Sequence, residues 1–352
     1  MTNPSPGRGS PASPTARPRV LLVDVAREAG LSKTTVSAAL NGTGRLSPAV
    51  RERARETARR MGYRPNPTAR QLRAGRARLI GFMVGELAGA PWTLLDSPYY
   101  AQLTSATAAA ALKRGYALVL LPAGSLHAEW AELPLDAVIV ADPVGDDRII
   151  DDLIAARIPV ITDRSVEGRP GAYWVDVDVV AAMRETLDHF EAQGARRPAL
   201  VLPDSPTQFY AGALAAYGDW CAERGRPEHV VFSPEAGNGP VVAAVEEALG
   251  GTRRPDALCV VPEASPPLVL EAARRHGYDV PGDLLVVCVS EDLTAAHTRP
   301  ALTTLSLGPR EVAEAGVDLL VAALEQGGAP SAGVLVPTRL EVRASSLRTG
   351  RH

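Results

Sequence analysis

Four polar side chains that could contact a nucleic acid lie within one short stretch of the chain. The stretch "SKTTVS" (32–37) carries them where a short helix is predicted. A lysine can donate to guanine acceptors, threonine and serine can bond a base edge or a phosphate, and a threonine methyl can contact thymine. We therefore predict exposed DNA-contacting side chains, which are Lys33, Thr34, Thr35 and Ser37.

Three short helices are predicted to position these side chains. In "LVDVAREAGLSKTTVSAALNG" (22–42), apolar residues recur at helical spacing on both sides of Gly30, which permits a tight turn. Ser32 is predicted to cap the second helix, and a third helix runs between Ser47 and Gly62. This pattern is typical of a helix-turn-helix, whose second helix enters the major groove of DNA. A three-helix scaffold that binds protein is the alternative.

The charge of the chain is divided unevenly. Residues 17–78 carry 15 Lys or Arg against 4 Asp or Glu, a net charge of +11, whereas the whole chain carries −3. A basic module joined to an acidic one indicates a polyanion partner for the first and a different role for the second.

The composition of the chain also bears on the cellular compartment in which the protein is expected. No apolar run approaches the roughly 18 residues of a membrane span, so no membrane partner is predicted. The first 18 residues are rich in Pro, Ser and Gly and are expected to form a disordered tail rather than an export signal. Three widely spaced cysteines fit no metal spacing and no disulfide framework, which suits a reducing cytoplasm.

Beyond residue 78, apolar runs alternate with helical segments. Continuous apolar runs of this kind predict parallel sheets that are covered by helices on both faces. About eight strands over the length of this module predict two lobes rather than one sheet. The predicted strands are "LIGFMV" (79–84), "ALVLLP" (117–122), "DAVIVA" (136–141), "IPVIT" (158–162), "PALVLP" (198–203), "VVF" (230–232), "ALCVV" (257–261) and "LLVVCV" (284–289).

Motifs for enzyme chemistry are not found. The sequence has no G-x-G-x-x-G after a strand, no Walker A motif and no G-x-S-x-G, and its six histidines are scattered. We therefore predict no catalytic residue, no cofactor and no metal site.

The basic module resembles a known family. The stretch "VDVAREAGLSKTTVSAALNG", followed by "MGYRPNPTARQLRAG", looks like the DNA-binding head and hinge of the lactose-repressor (LacI/GalR) family of bacterial transcription regulators. One departure is Ala38, which stands where the family usually has an arginine, so the operator sequence cannot be carried over. The further DNA-binding residues predicted with this resemblance are Leu22, Ser32, Asn41, Arg45, Ser47, Tyr63 and Asn66.

The stretch "NPTARQLRAG" (66–75) has a helix start and a helix stop but is too short to be stable alone. We predict that it is disordered in the free protein and folds against its dimer mate on DNA. The resemblance implies that Leu72 inserts between base steps of the minor groove, with Ala69 allowing close approach and Arg70 near phosphate or groove. A plain linker is the alternative.

The acidic module is similar to the two-lobed, periplasmic-binding-protein-like effector domain of the same family. Aromatic and carboxylate side chains around its interlobe cleft would suit a polyhydroxyl ligand. A second departure is the pair Ala211 and Ala213, near which the family usually has a cleft arginine. The effector-binding residues that the resemblance implies are Tyr99 and Tyr100 in "SPYYAQL", Asp163 in "IPVITDR", Phe232 in "VVFSPEAG", and Glu291 and Asp292 in "VVCVSED".

The predicted fold is an all-α helix-turn-helix head with a hinge helix, followed by an α/β two-lobed periplasmic-binding-protein-like domain with parallel sheets. The predicted boundaries are a disordered tail at 1–18, the head at 19–64, the hinge helix and linker at 65–77, and the effector-binding and dimerisation domain at 78–352.

The predicted function is that of a cytoplasmic, homodimeric repressor. It binds a palindromic DNA operator under the control of a small, sugar-like effector, and it is not an enzyme. Three alternatives stay open: a regulator controlled by a protein partner or without an effector, a solute-binding receptor with a vestigial head, and an enzyme on an α/β scaffold.

Overall fold

A computed structural model of the chain forms two compact units, Met1–Ala77 and Arg78–His352. The tail at 1–18 and the predicted hinge residues Asn66, Ala69, Arg70 and Leu72 lie outside the described residues. The structure describes residues 20–63, 76–85, 95–122, 133–144, 148–165, 169, 172–205, 207–234, 237–261, 264–326 and 333–348.

Residues 20–63, the described part of the first unit apart from its last two residues, contain three short helices around a small core. Gly30 ends the first helix in the left-handed region (φ 60°), a conformation that favours glycine. The Ser32 hydroxyl accepts a hydrogen bond from the backbone N–H of Thr35 (3.0 Å), so it caps the second helix as expected. The core consists of Val25, Ala26, Val36, Ala39, Ala54 and Ala58, and the helices are α1 (Leu22–Ala29), α2 (Lys33–Asn41) and α3 (Pro48–Arg60).

The second unit contains two six-stranded sheets, one in each lobe. The first sheet has the strand order β11-β5-β4-β3-β1-β2, and all its neighbouring strands are parallel. Its strands are β1 (Leu79–Val84), β2 (Ala117–Leu120), β3 (Ala137–Ala141), β4 (Val160–Thr162), β5 (Ala172–Val177) and β11 (Gly333–Val336).

The second sheet has the order β12-β10-β9-β8-β6-β7 and is parallel except for the pair β10–β12. Its strands are β6 (Pro198–Pro203), β7 (Val230–Ser233), β8 (Ala257–Val260), β9 (Leu285–Val289), β10 (Thr303–Ser306) and β12 (Arg339–Glu341). The predicted all-α head and two-lobed α/β domain with parallel sheets are thereby confirmed, whereas the predicted hinge helix lies outside the described residues. Each of the eight predicted strands is present.

Helices cover both sheets. Central strands such as β3 and β8 are therefore buried along their whole length. Among the described helices the longest follows β10, and it packs against the helix that follows β1. The helices are α4 (Pro98–Lys113), α5 (Ile149–Ala155), α6 (Val179–Ala192), α7 (Gln208–Glu223), α8 (Asn238–Gly250), α9 (Pro266–Arg275) and α10 (Pro309–Gln326), with 3₁₀ turns at Leu293–His297 and Ala344–Ser346.

The chain passes between the two lobes three times. It leaves the first sheet after β5, returns between β10 and α10, and leaves again between β11 and β12. The three connecting segments lie at Asp178, at Leu307–Gly308 and at Pro337–Thr338. The first lobe is therefore completed by α10 and β11, which are late in the sequence.

Four strands, β5, β10, β11 and β12, were not predicted. Strand β5 alternates between buried and half-buried positions, and β12 is a three-residue strand at the edge of its sheet. Neither presents the continuous apolar run that marks a central parallel strand.

Candidate functional site

A cavity opens at the carboxyl ends of the parallel strands, between the two lobes of the second unit. It encloses about 440 Å³ of space, part of it open to solvent, and its position at this edge of the sheets is where ligands bind in such folds. We call it the interlobe cavity. It is lined by Ser97, Tyr99, Tyr100, Asp142 and Arg164 from the first lobe and by Phe209, Tyr210, Val261, Val289, Ser290, Glu291 and Leu307 from the second lobe and its connection.

Three of the residues predicted to bind an effector, Tyr99, Tyr100 and Glu291, line this cavity. The two tyrosine rings meet edge to face, with their centroids 5.4 Å apart. The Glu291 carboxylate accepts hydrogen bonds from the Ser306 hydroxyl (2.9 and 3.0 Å) and from the backbone N–H of Leu307 (2.8 Å). These bonds fix Glu291 beside the connection that returns the chain to the first lobe.

Asp163 lies directly behind the cavity wall. Its side chain is buried, and its Oδ1 accepts a hydrogen bond from the backbone N–H of Asp142 (2.5 Å). It therefore supports the lining without being part of it.

The structure does not bring Phe232 or Asp292 to the cavity. Phe232 lies at the end of the edge strand β7 and is half exposed. The Asp292 carboxylate accepts a hydrogen bond from the backbone N–H of Thr294 (2.8 Å) and so caps the 3₁₀ turn that follows it. The local capping requirement accounts for the direction of this carboxylate.

Sequence reasoning missed two charged lining residues, Asp142 and Arg164. Asp142 directly follows β3, and Arg164 comes two residues after β4, so both lie at the edge of the sheet where ligands bind in such folds. The position after a buried strand was the signal that could have found them. Arg164 supplies a cavity arginine from the first lobe, whereas Ala213 of α7, near which this chain lacks the arginine usual in the resembled family, is buried.

Arg164 is the centre of a buried charge cluster. Its guanidinium is 3.2 Å from Asp142 Oδ1, 3.6 Å from Asp163 Oδ2 and 4.0 Å from Asp176 Oδ1. The Tyr100 hydroxyl donates to Asp142 Oδ2 at 2.8 Å. Three carboxylates thus share one guanidinium in a region with little water.

Burial dominates the protonation of this cluster. It raises the pKa of Asp163 from 3.8 to about 8, although the neighbouring Arg164 opposes the shift. Burial also raises the pKa of Asp176. Both shifts favour the protonated form of these two acids, which lessens the repulsion among the three carboxyl groups.

The free energy of unfolding of the wild type is expected to fall as pH rises from about 4 to about 8. In the Asp163→Asn variant this fall is expected to be smaller. The folded-state pKa of Asp163 lies above its unfolded value, so its stabilising contribution is complete below the unfolded pKa and is lost as pH rises through the folded pKa. The asparagine cannot ionise, and its carbonyl can still accept from the N–H of Asp142. Urea unfolding at a series of pH values measures the change, with the exposed Asp318→Asn as control. An unaltered pH slope in Asp163→Asn would contradict the assignment.

Two contacts join the lobes across the cavity. The guanidinium of Arg164 lies 5.1 Å from the centroid of the Phe209 ring, a cation–π contact between the first and second lobes. The Gln102 side-chain amide, on α4, donates to the backbone oxygen of Glu291 at 2.9 Å. Arg164, Phe209 and Glu291 of the lining, together with Gln102, therefore hold this arrangement of the lobes.

The backbone beside the cavity is constrained. Asp142 has a positive φ of 39°, which is uncommon for a residue with a side chain and occurs often at functional sites. Gly85 approaches it so closely that a Cβ at this position would lie 2.7 Å from the backbone oxygen of Asp142. Only a glycine fits there without displacing the cavity wall.

The first unit presents the predicted DNA-binding residues in different environments. Lys33 and Thr34 are exposed at the start of α2, and Arg45 and Ser47 are exposed in the segment before α3 and at its cap. Ser32 is also exposed although its hydroxyl caps α2.

Ser37 corrects one expectation, because it is buried and not exposed. The next turn of α2 explains this: the Asn41 side-chain amide donates to the Ser37 backbone oxygen at 2.8 Å. Thr35 is half-buried, and its hydroxyl is 2.8 Å from that of Ser32. Leu22 and Tyr63 pack against the core of the unit. Of the four side chains of α2 that were predicted to be exposed, only those of Lys33 and Thr34 are exposed.

The described part of the chain offers no group of three or more His, Cys, Asp or Glu that could hold a metal ion. Within the same residues, no helix is long and apolar enough to cross a membrane. All three cysteines are free and buried.

Comparison with known proteins covers both units. Residues 21–66 match the model of bacterial regulatory proteins of the lacI family, and residues 187–346 match that of a periplasmic binding protein-like domain. The catabolite control protein A of Staphylococcus xylosus is 24% identical, with 93% of this chain and 99% of the relative covered.

Two solved structures are similar over most of the chain. A complex of the transcriptional regulator CelR with cellobiose is 25% identical, covers 93% of this chain and all of its own, and has a TM-score of 0.68. The lac repressor dimer bound to operator and the anti-inducer ONPF is 22% identical, covers 94% of this chain and all of its own, and has a TM-score of 0.81. The first unit matches a regulator head and the second a ligand-binding domain, so this chain belongs to the lacI family of bacterial regulatory proteins.

Proposed function

We propose that this member of the lacI family is a repressor that binds a palindromic operator as a homodimer and responds to a small, sugar-like effector in the interlobe cavity. The observation that carries the proposal is the combination of a basic three-helix unit with a two-lobed unit whose cavity is lined by aromatic and charged side chains. The CelR relative was solved with cellobiose, and the lac repressor was solved as a dimer on operator DNA.

In this proposal the head spans 19–64, the hinge helix and linker 65–77, and the effector-binding and dimerisation domain 78–352. A single head offers few base contacts, so two heads on one dimer multiply the affinity for a two-fold symmetric site. We place the protein in the cytoplasm, which is consistent with free, buried cysteines.

The effector would act through the contacts that cross the cavity. A ligand changes DNA affinity only to the extent that it binds one arrangement of the lobes better than the other. Arg164 with Phe209, and Gln102 with the Glu291 backbone, are contacts that such a ligand would strengthen or replace.

Fluorescence anisotropy with the DNA upstream of the protein's own gene tests the first part of the proposal. We expect the full-length protein to bind this DNA at low salt more tightly than unrelated DNA of equal length, with an affinity that falls steeply as salt rises. No binding at low salt would count against the proposed function.

Thermal-shift measurements with a panel of sugars and nucleosides test the second part. A true effector at saturating concentration raises the melting temperature of the full-length protein and changes its DNA affinity. DNA binding without a response to any compound of the panel would favour control by a protein partner instead.

A further inference from the structure

The positive charge of the first unit is concentrated on α3 and not on α2, the helix that is proposed to enter the groove. Helix α2 (Lys33–Asn41) carries a single basic residue, Lys33, whereas α3 (Pro48–Arg60) carries five arginines. Contacts to phosphates supply nearly all of the non-specific affinity of a protein for DNA. Within residues 20–63, α3 is therefore the largest source of groups that could make such contacts.

Three of these arginines form one line along α3. Arg51, Arg55 and Arg59 are spaced four residues apart, which places them on the same flank of the helix. We call these three residues the α3 stripe. Successive members are about 6 Å apart along the helix axis, a distance comparable to two phosphate intervals of about 3.4 Å along one DNA strand. Arg55 and Arg59 are exposed, and Arg51 is half-buried.

The guanidinium groups of Arg55 and Arg59 have no acidic partner in the part of the chain that the structure describes. Each of them follows a glutamate by three residues, a spacing that allows ion pairs on a helix. At the same spacing on α9, Arg274 does pair with Glu271, at 2.7 Å. The α3 stripe therefore holds two exposed guanidinium groups that are open to a partner of negative charge.

Arg51 connects the α3 stripe to the segment that precedes α3. Its Nη2 donates to the backbone oxygen of Gly44 at 3.3 Å. A Cβ on Gly44 would lie 3.6 Å from the Cβ of Ala38, so this segment packs against α2. The same segment holds Arg45 and Ser47, which are exposed and were predicted to bind DNA. The α3 stripe therefore begins beside the predicted DNA-binding surface and extends from it along α3.

We propose that the α3 stripe binds the sugar–phosphate backbone of the same DNA duplex whose major groove α2 enters. This inference rests on the proposed function, because it requires that α2 binds DNA. A guanidinium is always charged and can bond two phosphate oxygens at once, so arginine suits this role. The α3 stripe adds affinity and fixes the position of the head on the duplex, and it does not read the base sequence.

Salt titration of DNA binding by the full-length protein tests the proposal. The Arg55→Gln/Arg59→Gln double variant removes two charges and keeps two polar side chains. Each lost phosphate contact reduces the slope of log affinity against log salt by about 0.9, so two contacts on each head of a dimer reduce it by roughly 3–4. We expect this reduction, with an equal weakening of binding to the upstream DNA and to unrelated DNA. Fluorescence anisotropy measures both.

The matched control removes the same charge from the other flank of α3. Arg53 and Arg60 are exposed and seven residues apart, so they share that flank. The Arg53→Gln/Arg60→Gln double variant should reduce the slope by less than about 1. All four replaced side chains are exposed, so both double variants are expected to fold, and circular dichroism melting curves check this.

Hydroxyl-radical footprinting on the upstream DNA locates the contact. The wild type should protect backbone positions that the Arg55→Gln/Arg59→Gln variant leaves open, whereas the other protected positions should be the same in both proteins. A reduced slope with an unchanged footprint would place these guanidinium groups on a second duplex, and it would reject their assignment to the duplex that α2 enters.

Two further results would overturn the proposal. One is a slope that the Arg55→Gln/Arg59→Gln variant leaves unchanged. The other is an equal reduction in the control, which would assign the effect to the net charge of the head alone. In both cases tighter binding of the wild type to the upstream DNA than to unrelated DNA would leave the regulator function standing. Failure of the wild type to bind any DNA at low salt would instead reject the proposed function and this inference with it.

Discussion

Replacing Arg164 with methionine is expected to lower the free energy of unfolding of the second unit by about 3–5 kcal/mol at neutral pH. The variant keeps most of the side-chain volume but leaves Asp142, Asp163 and Asp176 without their shared positive charge. Removing one partner of a buried ion cluster strands the remaining charges, and this costs far more than losing an exposed pair. Urea unfolding followed by circular dichroism measures the loss.

The effect of Arg164→Met should depend on pH in a defined direction. Without the guanidinium, burial raises the folded-state pKa values of Asp163 and Asp176 further above their unfolded values. Stability is then lost as pH rises through the folded-state pKa values, so the defect should be larger near pH 8 than near pH 5. Arg114→Met is the control, because Arg114 pairs with Asp318 on an exposed surface. An equal defect at both pH values, or one no larger than that of the control, would refute this explanation.

Replacing Lys33 with methionine is expected to weaken operator binding by about tenfold to a hundredfold, which corresponds to the roughly 1–3 kcal/mol of one base contact. Lys33 is the first residue of α2 and is exposed, and the first residues of a recognition helix are those that reach base edges. Fluorescence anisotropy with the upstream DNA and with unrelated DNA measures specific and non-specific binding separately.

Arg60→Met provides the matched control for Lys33→Met. Arg60 carries the same charge as Lys33 and is exposed, but it is the last residue of α3 and is distant in sequence from the start of α2. Its guanidinium pairs with Glu28 at 3.1 Å. We expect a smaller loss that is similar on both DNAs. If Lys33→Met also weakens both DNAs equally, Lys33 contacts only phosphate and does not read bases.

Much of the fold could be predicted because buried parallel strands have continuous apolar sequences. Strands β1 and β6 begin and end at the predicted residues. The missed strands depend on tertiary pairing: Gly333 of β11 pairs with Trp174 of β5, more than 150 positions earlier, and a Cβ there would overlap the Trp174 ring. No local pattern contains that information.

Site residues could be predicted where the resemblance supplied their positions in the sequence. They were harder to predict where local packing decides which way a side chain points. Tyr99, Tyr100 and Glu291 are at the cavity, whereas Asp292 turns to cap its own 3₁₀ segment. Asp163 was predicted, but its neighbour Arg164 is the residue that reaches the lining. Which of two adjacent side chains faces a cavity depends on the residue at which the strand ends. The sequence pattern does not locate the end of a strand to a single residue.

The three passages of the chain between the lobes have a consequence for how this protein is made. The amino-terminal lobe lacks α10 and β11 until the ribosome has translated residue 336, after strands β6 to β10 of the second lobe. Until then strand β5 presents an open edge, to which another nascent chain could add a strand. The amino-terminal lobe therefore cannot be completed until most of the second lobe has been translated.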